Sequence, residues 1–169
     1  FNVGRTLGRM GRYEEAEELL QEAMRGCRKV LGDKHDVTLH SILDVAGILR
    51  KIGRFDDAEQ LYREALETSR KHLGHEHRTT IAAIVSLGDM HLDVGQYELA
   101  RLLYQEAIGI VEREHGRSSN FMSEPLTKMG QLLMDMGRYK EAGSNLQEAL
   151  QLTREFMGEE HPTTLKVLY

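Results

Sequence analysis

His75-Glu76-His77 sets two imidazoles beside a carboxylate, the raw material of a zinc site. Two histidines two residues apart in a connector lack further ligands at fixed spacing, however, and His77 recurs in register as His35 and His161. That recurrence marks a structural position. Cys27 is the only cysteine, and a thiol nucleophile needs a neighbouring base that the sequence does not supply. It shares its phase with Ser69, Val111 and Thr153, a packing position for small side chains. Gly4-x-x-x-Gly8 has the spacing of a membrane-helix dimer motif, yet Arg5 and Arg9 flank it. No phosphate-binding loop, dinucleotide fingerprint or zinc-protease helix motif occurs. The expectation is a chain that is not an enzyme and carries no cofactor or metal.

The bulk chemistry agrees with a binding role. At 169 residues the chain can bury a continuous core without disulfides. With two prolines, no tryptophan and 29% charged residues, its composition favours helix. The longest apolar runs fall far short of the roughly 20 residues that cross a bilayer, so no direct membrane insertion is expected. A lone cysteine and no visible leader fit an intracellular, cytoplasmic location. A net charge of -5 argues against nucleic acid as a partner. The charge is unevenly spread. Residues 1–36 and 37–78 each carry 7 basic and 7 acidic side chains, residues 79–120 carry 3 and 6, and residues 121–162 carry 4 and 7.

The elements that position these residues are set by an internal repeat. Gly11-Arg12-Tyr13-Glu14-Glu15-Ala16 returns as Gly53-Arg54-Phe55-Asp56-Asp57-Ala58, as Gly95-Gln96-Tyr97-Glu98-Leu99-Ala100 and as Gly137-Arg138-Tyr139-Lys140-Glu141-Ala142, each 42 residues after the last. A connector keeps the same step: Leu31-Gly32-Asp33-Lys34-His35, Leu73-Gly74-His75-Glu76-His77 and Met157-Gly158-Glu159-Glu160-His161. Apolar residues at spacings of three and four between them predict helices from about Asp36 to Ile52 and from about Asp56 to Leu73. Glycines 11, 53, 95 and 137 stand where the first helix of each pair must end. Small residues mark close crossings: Gly4, Ala46, Gly88 and Gly130 in the first helices, and Ala16, Ala58, Ala100, Ala142, Ala23, Ala65, Ala107 and Ala149 in the second.

A period of 42 also lies within the range of HEAT and armadillo repeats, so length alone leaves the type open. The residue pattern is more specific. A small residue, a glycine seven later, an aromatic two beyond, then alanines three and ten further on resembles the tetratricopeptide repeat. With the Leu-Gly-x-x-His connector it is similar to the 42-residue form of kinesin light chains and nephrocystin-type proteins. The resemblance implies an all-α fold, an α-solenoid forming a right-handed superhelix of antiparallel helix pairs. The repeats would span 1–36, with its first helix truncated, then 37–78, 79–120, 121–162, and the start of a fifth at 163–169. The third connector departs from the pattern, with Ser119 where histidine stands elsewhere and Pro125 following, so an irregular junction is expected there. Both ends cut a helix pair, which predicts a longer parent chain.

The family binds through the concave face lined by first helices, and helical phase selects the residues facing it. The front supplies Arg5, Arg9, His40, Leu43, Gly47, Arg50 and Lys51. The rear supplies Ala82, Val85, Asp89, Leu92, Asp93, Glu124, Thr127, Gln131, Met134 and Asp135, with Lys166 and Tyr169 beyond. The expected function is a protein–protein interaction scaffold that takes a peptide segment in this groove, its acidic part near Arg5, Arg9, Arg50 and Lys51 and its basic part near Asp89 and Asp93. The paired asparagines of kinesin light chain first helices are here Leu43-Asp44, Val85-Ser86 and Thr127-Lys128, so that family's peptide preference does not transfer. Two alternatives stand beside the groove: these charges are ordinary solvated side chains, or the chain is a permanent subunit of a larger complex that contacts neighbours through its convex face and helix ends.

Overall fold

The computed structural model describes residues 2–159 and Thr164. Phe1, His161, Lys166, Tyr169 and the fifth-repeat start at 163–169, Thr164 apart, lie outside the described residues. The order is α1 (Asn2–Arg9), α2 (Tyr13–Leu31), α3 (Asp36–Lys51), α4 (Phe55–His72), α5 (Arg78–Asp93), α6 (Tyr97–His115), a 3-10 turn (Asn120–Met122), α7 (Ser123–Asp135) and α8 (Tyr139–Met157). The fold is an all-α solenoid of helix pairs, and no strand occurs among the described residues. By contact density the chain divides into two units, Phe1–Met90 and His91–Tyr169.

Each first helix ends in the same way. The amides of Arg12, Arg54, Gln96 and Arg138 reach back to the carbonyls of Leu7, Leu49, His91 and Leu133 at 2.8–3.0 Å, the long bond of a Schellman cap. The intervening glycine must be left-handed for this bond to form, and Gly53 has φ +82. A side chain there would strain the turn.

The helix starts also follow one rule. His35 Nδ1 accepts from the Val37 amide and His77 Nδ1 from the Thr79 amide, both at 3.2 Å, so the recurring connector histidine is a helix N-cap. This absorbs His77 into the scaffold. Ser119 does the same work, its Oγ accepting from the Phe121 amide at 3.2 Å, but the chain then makes a 3-10 turn before α7 begins at Ser123. The irregularity expected at this junction is that turn, and Pro125 sits in the first turn of α7, where its missing amide costs nothing.

In the first unit, α1 packs on α2, α2 on α3 and α3 on α4. Leu39, Ile42 and Ala65 form a buried cluster against which Met24, Leu43, Leu61 and Leu73 lean. A Cβ on Gly4 would lie 2.7 Å from Leu20 Cγ, so a larger residue there would force Leu20 to shift. In the second unit, α7 lies between α6 and α8, and a Cβ on Gly130 would meet Leu146 Cγ at 2.6 Å. Ala16, Ala58, Ala65, Ala100, Ala107, Ala142 and Ala149 are all fully buried, as the close crossings require, whereas Ala23 in the first repeat is half-buried. Cys27 is half-buried at a position where Ser69, Val111 and Thr153 are buried.

Candidate functional site

The first-helix face of the first unit contains a pocket of about 280 Å3 lined by Arg5, Asp36, Val37, His40, Ser41 and Arg78. Its walls come from α1 and from the opening turns of α3 and α5. Asp36 is the centre of its polar network. Its carboxylate accepts a bond from the Thr79 hydroxyl and lies 3.3 Å from His40 Nδ1 and 4.0 Å from His77 Nδ1. Burial pushes this carboxyl up, but the Thr79 bond and the charges of His40 and His77 outweigh burial and hold it below the usual range. Arg5 donates to Asp44 at 2.8 Å. Burial nonetheless leaves the Asp44 carboxyl above its ordinary value, with Arg5 offsetting only part of the desolvation. Arg78, by contrast, is exposed and makes no hydrogen bond or ion pair among the described residues.

Residues selected by helical phase divide sharply. Arg9, Lys51, Asp93 and Asp135 occupy one repeated position and all are exposed. Leu43, Val85 and Thr127 occupy another, and it is sheltered: Leu43 and Thr127 are half-buried and Val85 is only 4% exposed. Val85 is therefore a core residue and not a groove contact, because this phase turns towards the packed side of the helix. Thr127 spends its hydroxyl on the Ser123 carbonyl at 2.7 Å. Glu124, Gln131 and Met134 are exposed on α7, and Leu92 is half-buried.

Arg50 and Asp89, expected to face opposite ends of a ligand, stand together in the structure. Their charged groups stand 3.9 Å apart, Arg50 donates to the Asp89 backbone carbonyl at 3.3 Å, and each side chain is only 14% exposed. Both are committed first to the packing of α3 against α5.

Asp36, Val37, Ser41 and Arg78 in the pocket, and Asp44 beneath Arg5, are not among the residues picked from the sequence. Asp36 and Arg78 occupy the same place in successive repeats, directly after the capping histidine, so the connector register could have found them. Asp44 carries no such signal, since its role depends on where α1 packs. Among the described residues no three His, Cys, Asp or Glu side chains gather as a metal ion needs, and no helix is long and apolar enough to cross a membrane.

The family model for the tetratricopeptide repeat matches residues 1–71, and that for the MalT-like TPR region matches residues 53–168. No curated protein matches the chain significantly. Among solved structures, BtubC (BKLC) from P. vanneervenii is 21% identical with a TM-score of 0.74, over 95% of this chain and 63% of its own. This chain thus spans less than two thirds of that relative. A Podosopora anserina kinesin light chain with nearly identical TPR-like repeats is similar at 21% identity and TM-score 0.73, covering 98% of this chain and 79% of its own. The Rap conjugation gene regulator of the plasmid pLS20, in complex with the Phr* peptide, matches at 22% identity and TM-score 0.79, over 99% of this chain and 44% of its own. The shared 42-residue register and the matched family models together place the chain in the tetratricopeptide repeat family.

Proposed function

We propose that this chain is a protein-binding scaffold whose first-helix face receives a peptide segment of another protein, without catalysis. The pocket in the first unit carries the reading. It is concave, open to a side chain, and holds two groove residues chosen by phase alone, Arg5 and His40. At about 280 Å3 it is close to the lower limit for small-molecule sites, which suits one peptide side chain better than a cofactor. Arg78 is the cation left to pair with a ligand carboxylate, with Arg9 and Lys51 exposed on the same first helices. The peptide's acidic part therefore belongs at the pocket. In the second unit by itself, Asp93, Gln131, Met134 and Asp135 are exposed on first helices. The peptide-bound state of the Rap regulator supports the mode without defining the sequence bound.

Fluorescence anisotropy with acidic and charge-neutralised 12-residue peptides of otherwise equal composition tests this, using roughly peptide-length ligands such as grooves of this kind hold. Arg78→Glu with Lys51→Glu should weaken the acidic peptide about tenfold and leave the neutral one unchanged. Equal affinity of wild type for both peptides would sink the charge reading.

A further inference from the structure

The four second helices share a fully buried alanine, Ala16, Ala58, Ala100 and Ala142, yet α6 differs from the others on its outward side. At the position of the exposed acids Glu15, Asp57 and Glu141 it has Leu99, which is 47% exposed. In the other repeats that acid is held by the residue three before it, at 2.6 Å for Arg12 and Glu15 and 2.7 Å for both Arg54 with Asp57 and Arg138 with Glu141. In α6 the arginine is also gone: Gln96 turns back, its Oε1 2.6 Å from His91 Nδ1. Three residues on, where Glu18, Gln60 and Ser144 stand, α6 has Leu102, 54% exposed.

Two turns further, the exposed Arg25, Glu67 and Gln151 are replaced by Gly109. A glycine inside a helix weakens it relative to alanine. Nothing in the fold demands one here, since a Cβ would meet only the Arg113 guanidinium, at an ordinary 3.6 Å. Arg113 itself is exposed and makes no ion pair among the described residues. Leu99, Leu102, Glu106, Gly109 and Arg113 follow one another at steps of three, four, three and four, the spacing at which a helix presents a seam to another helix.

We propose that the outer face of α6 is a docking surface for an amphipathic helix of a partner protein. Two apolar side chains of that helix sit on Leu99 and Leu102, the backbones approach most closely at Gly109, and a carboxylate pairs with Arg113. Charge order defines the occupant: apolar at one end, then small and acidic. This face is made from a second helix, so the inference stands apart from the peptide site on the first helices.

The test uses the full chain and a stapled probe helix of about five turns carrying Leu, Leu, Ala and Glu at the positions facing Leu99, Leu102, Gly109 and Arg113, synthesised in both chain directions. One direction should bind in fluorescence anisotropy. Leu99→Glu with Leu102→Gln, which restores side chains that the sister repeats carry, should weaken it at least about tenfold. Circular dichroism should show that variant folded. Arg113→Glu should weaken the probe about fivefold, and exchanging the probe's Glu for Lys should restore binding to that variant. Failure of both probe directions to bind wild type overturns the proposal, as does undiminished binding by the variants. Self-association of wild type in sedimentation that Leu99→Glu abolishes would overturn it in favour of a second copy as occupant. Arg78→Glu should leave probe binding unchanged, which separates this face from the peptide site.

Discussion

Helices α4 and α6 are the same helix by register and different helices by surface. Inside, Tyr62 and Tyr104 are buried at one position, and Ala58 and Ala100, then Ala65 and Ala107, at others. Outside, α4 shows Asp57, Gln60 and Glu67 where α6 shows Leu99, Leu102 and Gly109. Packing tolerates little change on the inner side because a crossing helix occupies the space. The outer side meets only water unless a partner covers it. The period therefore reports the fold, and a break in the period on an exposed face reports what the fold leaves open.

The inner side should show the largest effects, and they should be equal in the two helices. Tyr104→Ala is expected to destabilise by about 3–5 kcal/mol, and Tyr62→Ala by a similar amount, in urea denaturation followed by circular dichroism. A twofold difference between them would break the equivalence of the two interiors. Gly130→Ala, which drives a methyl into Leu146, should cost about 1–3 kcal/mol. The connectors come next. His35→Ala and Ser119→Ala each remove a helix cap and should cost about 1 kcal/mol, with Ser119→Asp close to neutral if capping is its whole role. On the outer side, Leu99→Glu should change stability by less than about 0.5 kcal/mol. A larger loss would mean that Leu99 belongs to the packing of its own unit.

Two carboxylates on α3 offer a finer contrast, read from denaturation midpoints across the acid range. Asp36 has a lowered pKa, so its stabilising contribution is present above its unfolded value and disappears as pH falls through its folded value. Asp44 has a raised pKa, so the folded chain keeps a proton that the unfolded chain has released, and stability declines as pH rises through that interval. Asp36→Asn should remove the acid-side loss and Asp44→Asn the decline on the other side. Indistinguishable profiles would mean that the two carboxyls do not differ in their surroundings.

The pairing of Arg50 with Asp89 shows where reading by phase stops. Helical phase placed both side chains on the first-helix face, but phase carries no information about the distance between α3 and α5. Arg5 and Asp44 repeat the lesson across α1 and α3, and Val85 shows that a phase can be right for the helix and still face packed neighbours. The capping role of His35 and His77 was hidden for another reason: histidine is an uncommon cap, so recurrence marked the position without naming its function.

The 42-residue register, the helix boundaries, the glycine-closed turns and the small-residue crossings were legible from residue types and spacing, because each is a local requirement repeated in the chain. Which charges stay available to a ligand was decided only by tertiary structure. Arg50 is spent on Asp89 and Arg5 on Asp44, while Arg78 and Arg113 keep their charge open to solvent. Ion pairing falls off with distance, and the distances between side chains remote in sequence exist only once the helices have packed.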